Sequence, residues 1–249
     1  MPIIIKSDDE VAIIREAGSI VAQVLEILKK EIRPGLVVKE LDAIVRREFT
    51  ARQVTPTFLG YLGYPATVCV SVNDQIVHGI PGDRVLQEGD IVSLDLGATH
   101  RGFVGDAAIT VGVGRISPEA ERLVKTTEEA LWKGIAAARA GAPLGAVSFA
   151  MQRHAEGAGF SVVREYVGHG VGREMHEEPQ VPNYGPPDRG PILRKGMVLA
   201  LEPMVNVGDW RTKRDSDNWT VSTLDGSLSA HFEHTIAITD GEAQVLTLP

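Results

Sequence analysis

With 249 residues, 43% of them hydrophobic, the chain can bury a substantial core as one large domain or two small ones. Acidic residues outnumber basic ones 33 to 25, a formal charge of −8 without any long basic run, so a nucleic-acid binder is excluded and no DNA partner is expected. The opening MPIIIKSDDE is too short in apolar residues for a signal-peptide core, no segment approaches the roughly 18 apolar residues of a membrane span, and the single Cys69 leaves no internal disulfide; a cytoplasmic protein with no membrane partner is expected.

Ser7 to Glu10 has the S-x-x-E form of a capping box, and Ile14, Val21, Leu25, Leu28 and Ile32 recur at helical spacing, which predicts a helix over 8–32. Pro34 and Gly35 break it, and Leu41, Ile44, Val45 and Phe49 mark a second helix ending near Arg52. A Gly/Tyr/Pro-rich loop (FLGYLGYP, 58–65) precedes three segments that read as strands: TVCVSVN, IVSLDLGA and FVGDAAITVG. From Ser117 the plan starts again. Ser117 and Pro118 suit an N-cap and first helical residue, 123–140 reads as helix, Gly141 and Pro143 break it, and a further helix covers 144–157. Gly35 and Gly141 occupy the same kind of joint, which points to two α/β halves sharing one sheet within a single catalytic domain, 1–249.

Asp95 and Asp106 interrupt apolar strands, where an unpaired carboxylate is costly. Residue parity puts Ile91, Ser93 and Asp95 on one strand face and Val92, Leu94 and Leu96 on the other; after a turn at GATHRG, Asp106 returns with Val104 and Ala108. A hairpin would bring both aspartates to one side. Two such charges ~4 Å apart repel by roughly 4 kcal/mol at an effective dielectric near 20. Protonation or an arginine partner would relieve either one alone. Further metal-ligand residue types follow: His169 and His176 in YVGHGVGREMHEEPQVPNY, Glu202 ending VLALE, and Glu233 in SAHFEHTIAIT. Asp95, Asp106, His169, Glu202 and Glu233 together carry four negative charges and one imidazole, which two divalent cations (Mn, Fe, Co or Zn) would balance. Such a pair commonly activates water for hydrolysis.

Other chemistries find no motif. HEEPQ lacks the second histidine of a zincin helix and meets Pro179, GVGRIS and GHGVGRE lack the third glycine of a dinucleotide fingerprint, and no phosphate-binding P-loop or G-x-S-x-G elbow is present.

The order Asp, Asp, His, Glu, Glu, with GHGVGREMHEEPQV, ALEPM and FEHT around the last three, NDQIVHGIP around His78 and the paired-tyrosine loop, resembles the type I methionine aminopeptidases of metallopeptidase family M24 over nearly the whole chain. The resemblance implies an α+β pita-bread fold, with pseudo-twofold α/β halves around a curved antiparallel sheet. It implies Asp95, Asp106, His169, Glu202 and Glu233 as metal ligands, Glu202 as the proton shuttle, His176 at the tetrahedral oxyanion and His78 at the scissile amide. It further implies a methionine pocket of Tyr61, Tyr64, Cys69, Met204 and Trp219, with Phe58 and Met175 beside it. The substrates would be nascent polypeptide N-termini with a small second residue, met by a monomer whose partners could include a transient ribosome contact. Two positions depart from the family pattern: Met175 replaces a common Phe, and His231 stands where Gln often occurs. Prolidase and aminopeptidase P enzymes share fold and ligands but carry an additional N-terminal domain; ligand-free members of the fold act as binding proteins.

Overall fold

The computed structural model describes residues 2–249. The capping box forms as the sequence predicts: the Ser7 hydroxyl accepts from the Glu10 N–H while the Glu10 carboxylate accepts from the Ser7 N–H, opening α1 (Asp8–Glu31). Next come α2 (Lys39–Ala51), β1 (Thr55–Pro56), a 3-10 turn at Tyr61–Gly63, and strands β2 (Cys69–Val72) and β3 (Gln75–Val77). A hairpin of β4 (Ile91–His100) and β5 (Phe103–Gly112) completes the first half. The second half holds α3 (Pro118–Ala137) and α4 (Gly145–Gly157), then β6 (Ser161–Val162), β7 (Gly168–Gly170), β8 (Glu177–Val181), β9 (Val198–Leu201) and β10 (Met204–Asn206). It closes with β11 (Thr212–Arg214), β12 (Val221–Thr223), β13 (Ser229–His231), β14 (Glu233–Ala237) and β15 (Gln244–Val245).

Three boundaries differ from the sequence expectation. Strand β2 starts at Cys69 because Thr67 is bound elsewhere, its N–H and hydroxyl donating to Asp42 Oδ1 at 2.7 and 2.6 Å. The turn at GATHRG is confined to Arg101 and Gly102, whose φ values of 49° and 79° let two strands reverse in two residues. Helix α3 begins at Pro118 behind the Ser117 cap, whose hydroxyl accepts from Ala120, and ends at Ala137 rather than continuing to residue 140.

The main sheet has nine antiparallel strands in the order β1-β4-β5-β14-β9-β7-β8, with β2 also on β4 and β15 on β14; it is curved, with the helices on one face. Val92, Leu94 and Leu96 pack against α1 and α2, while Leu199, Leu201 and Ile236 pack against α3 and α4. The suspected repeat is visible bond by bond. Gly35 and Gly141 both take φ of 87°, donating to Leu86 O and Leu193 O, and isolated bridges Val37 to Val85 and Pro143 to Ile192 occupy matching places. This is the pita-bread arrangement.

The register decides what the opposite face carries. Cys69, Asp95, Ala108 and Glu233 stand opposite one another across β2, β4, β5 and β14. Asp106 lies two residues from Ala108 and so shares that face. A second row, Thr235, Ala200 and His169, crosses β14, β9 and β7. Glu202, two residues past Ala200, continues it. One sheet face therefore gathers all five candidate ligands, and the small Ala108 and Ala200 leave space between them.

Candidate metal centre

Asp106 and Glu233 are buried, while Asp95 and Glu202 open on one side to a cavity of about 140 Å³. The His169 Nδ1–H donates to the Gly170 carbonyl at 2.9 Å; because a carbonyl only accepts, the tautomer is fixed and the Nε2 lone pair faces the acids. From Nε2 it is 3.8 Å to Asp106 Oδ2 and 3.6 Å to Glu202 Oε1. One donor atom each from Asp106, His169 and Glu233 fall within 4.8 Å of one another.

Three carboxylate oxygens, Asp95 Oδ1, Asp106 Oδ1 and Glu233 Oε1, are buried without any hydrogen-bond partner. Among the described residues no lysine or arginine pairs with these acids; their ion-pair neighbours are histidines. The arginine-partner explanation is thereby removed. Burial pushes the Asp95 carboxyl up to about 7, and burial, then the charges of neighbouring acids, push Asp106, Glu202 and Glu233 well above the usual carboxylate range. Burial holds His169 down near 3, keeping its imidazole neutral. A neutral imidazole and four mutually repelling acids with unpaired oxygens match what divalent cations require of a site.

The cavity above this cluster is walled by Phe58, Tyr61, Tyr64, Cys69, Met175, His176 and Trp219, with His78 at its edge. Tyr64 is anchored twice, donating to Gly79 O at 2.8 Å and Val68 O at 3.1 Å, and Trp219 meets its ring edge-on at 5.1 Å. Burial, then the Asp95 charge, raise the Cys69 thiol, so it stands as a neutral wall. His176 comes from the loop between β7 and β8, its Nδ1 2.7 Å from the Tyr61 hydroxyl and its ring 4.3 Å from that of His169. His78 follows β3 at φ 60°, a left-handed conformation uncommon outside glycine, with Tyr166 against its ring at 5.8 Å.

Met204 is the expected pocket residue that the structure places elsewhere. It is fully buried in a core cluster with Ile76, Val77, Val163 and Val221 and does not line the cavity. Two further residues join the site, one not expected from the sequence and one marked there only as a departure from the family pattern. Leu62 lines the cavity while remaining 81% exposed, on a 3-10 turn that no periodicity marks. His231 is buried with both ring nitrogens unpartnered, and its Nε2 lies 3.7 Å from Glu202 Oε2. Its two-residue separation from Glu233 was the available signal. His234 faces the other side of the sheet, bonded through Nδ1 to the Thr247 hydroxyl at 2.8 Å.

Comparison with known proteins agrees with this geometry. The model of Metallopeptidase family M24 matches residues 12–240. Methionine aminopeptidase 1 of Bacillus subtilis is 54% identical over 245 residues, covering 98% of this chain and 99% of its own length. The crystal structure of methionine aminopeptidase from Thermotoga maritima superposes with a TM-score of 0.98 at 48% identity, each chain covered completely. Prolidase from Pyrococcus furiosus shares the fold, with a TM-score of 0.81 at 24% identity, but this chain covers only 66% of it. With the donor set on one sheet face, the family model spanning most of the sequence and relatives matched end to end, the chain belongs to metallopeptidase family M24, among its methionine aminopeptidases.

Proposed function

We infer that this protein removes N-terminal methionine from polypeptides by metal-dependent hydrolysis, and that Asp95, Asp106, His169, Glu202 and Glu233 hold two divalent cations. The observation that carries the reading is the convergence of four acids and a neutral imidazole, with unpaired carboxylate oxygens, on the floor of a largely apolar cavity. Divalent cations bound there supply Lewis acidity, lowering the pKa of water toward neutrality and polarising a peptide carbonyl. The residues of the chain do the rest.

Glu202 is the proposed proton carrier, accepting a proton from the attacking water on its carboxylate and releasing it to the departing amine. His176 is proposed to donate to the carbonyl oxygen as negative charge develops there, with Tyr61 holding its other nitrogen. His78 would contact the scissile amide or the following backbone. Phe58, Tyr61, Tyr64, Cys69, Met175 and Trp219 would hold the methionine side chain, whose thioether suits aromatic and polarizable walls. The second residue of the substrate would lie beside His78, and a preference for small side chains there is part of the proposal.

Both halves contribute donors, which supports the whole chain acting as one catalytic domain. A monomer acting on nascent polypeptides at the ribosome in the cytoplasm is the proposed setting. Among the described residues no helix is long and apolar enough to cross a membrane. The test is chelation and reloading with Mn, Fe, Co or Zn at controlled free concentration, assaying a Met-Ala-Ser peptide against an Xaa-Pro peptide. Metal-restored methionine release is expected; cleavage of the Xaa-Pro peptide alone would move the assignment to the prolidase type.

A further inference from the structure

The loop that carries Met175 and His176 is folded around a buried charge. Glu177 is 8% exposed and accepts from the Arg173 N–H at 2.9 Å and the Glu174 N–H at 3.4 Å through Oε1. Its other oxygen meets the Lys6 ammonium at 2.6 Å, and Lys6 is itself only 5% exposed. The wrapping is tight: a Cβ on Gly172 would stand 2.5 Å from Glu177 Oε1 and 2.6 Å from Lys6 Cε. A buried carboxylate without its counter-ion would be driven toward solvent or protonation, and the two N–H bonds that shape the loop would weaken with it.

Lys6 is held independently of this loop. Its N–H donates to Gly196 O at 2.8 Å, its ammonium also reaches Ile4 O at 3.1 Å, and Ile3 packs on the core of the second half. The loop is also fixed near its start, by Val104 N–H to Gly172 O at 2.8 Å and Val171 N–H to Val198 O at 3.2 Å, at its end by the pairing of Glu177 with Gly170 as β8 begins, and at His176 by the Tyr61 hydroxyl. Glu177 follows His176 directly in the chain. The backbone of Glu177 is placed by β8, while its side chain, which gathers the Arg173 and Glu174 amides between Gly172 and His176, is held by an ion pair reaching across 171 positions of sequence.

We propose that Lys6, acting through Glu177, is a positioning residue for His176 and Met175, so that the N-terminal segment fixes one wall of the methionine cavity. The proposal rests on the reading of His176 and Met175 as substrate-contacting groups. Lys6 touches neither the substrate nor the metal donors.

The experiment compares K6M, K6R, E177Q and the double variant K6M/E177Q with the wild-type, metal-loaded enzyme. In K6M, hydrogen exchange at the Arg173 and Glu174 amides should accelerate while β4 and β5 stay protected, and kcat/KM for a Met-Ala-Ser peptide should fall on the order of 10- to 100-fold. Metal stoichiometry and affinity should not change. K6R should restore the exchange protection and most of the activity. If K6M does not fold, the double variant, in which neither charge is left buried alone, should fold and still show low kcat/KM with a fast-exchanging loop. Wild-type-like exchange and kcat/KM within about twofold in K6M, or in the double variant, would overturn the proposal. So would loss of protection spread evenly over the whole sheet in both variants and E177Q. Should the wild type release no methionine, the functional reading fails, and the exchange data still decide the clamp.

Discussion

At the scale of single residues, each acid of the centre is disfavoured by the others until cations arrive. Glu202→Gln should lower turnover about 100-fold or more, the size of a lost proton carrier, and Asp95→Asn should lower bound-metal stoichiometry. Both variants in chelator should unfold at or above the wild-type temperature, because one repelling charge has gone; thermal unfolding with and without metal checks this. The raised carboxyls give a second outcome. Near pH 7 the metal-free site is partly protonated, since burial holds Asp95 at about 7 and its neighbours well above the usual carboxylate range, so metal uptake must expel protons. Calorimetry in buffers of different ionisation enthalpy should count them, and apparent affinity should rise from pH 6 to 8. The donors were legible in sequence because each is a lone acid or histidine in an apolar or glycine-rich run with strand parity to place it. His231 was marked only as a departure from the family pattern, because strand parity puts it on the face of Glu233 without showing that its ring reaches Glu202 on another strand end.

Among the elements, the contact between α1 and β5 is made backbone to backbone. A Cβ on Gly105 would stand 2.4 Å from Gly18 N and 2.7 Å from Gly18 Cα, neither of which can rotate away. Gly105→Ala should therefore cost about 1–3 kcal/mol in urea unfolding, and it should weaken metal binding because Asp106 is the next residue on the displaced strand. The helices and the β4–β5 hairpin were readable because their apolar periodicity runs for many residues. The strands of two and three residues between Ser161 and His231 were not, since so short a run shows no period; pairing with distant partners defines them. Met204 entered the pocket through family resemblance alone, and the structure buries it in the core instead.

For the whole molecule, metal and pH act on stability together. Carboxyls raised in the fold contribute stability fully below their ordinary value near 4 and lose it as pH rises through the folded value, about 7 for Asp95. His169 and His231, both held near 3, work the other way, contributing fully above 6.5 and losing it as pH falls toward 3. Above pH 6.5 the acids alone are titrating. The rise in unfolding temperature on adding metal should accordingly be larger at pH 8 than at pH 6.5, as scanning calorimetry would show. The donors are also divided in chain order: Asp95 and Asp106 precede α3, and His169, Glu202 and Glu233 follow it. On the proposed ligand set, a growing polypeptide owns no complete centre until β14 is laid between β5 and β9, and catalysis would not start on a half-made copy. Fragments 2–115 and 116–249, produced apart, should each be inert and should regain activity only when mixed, with the ion acting as a rivet that reports their reunion.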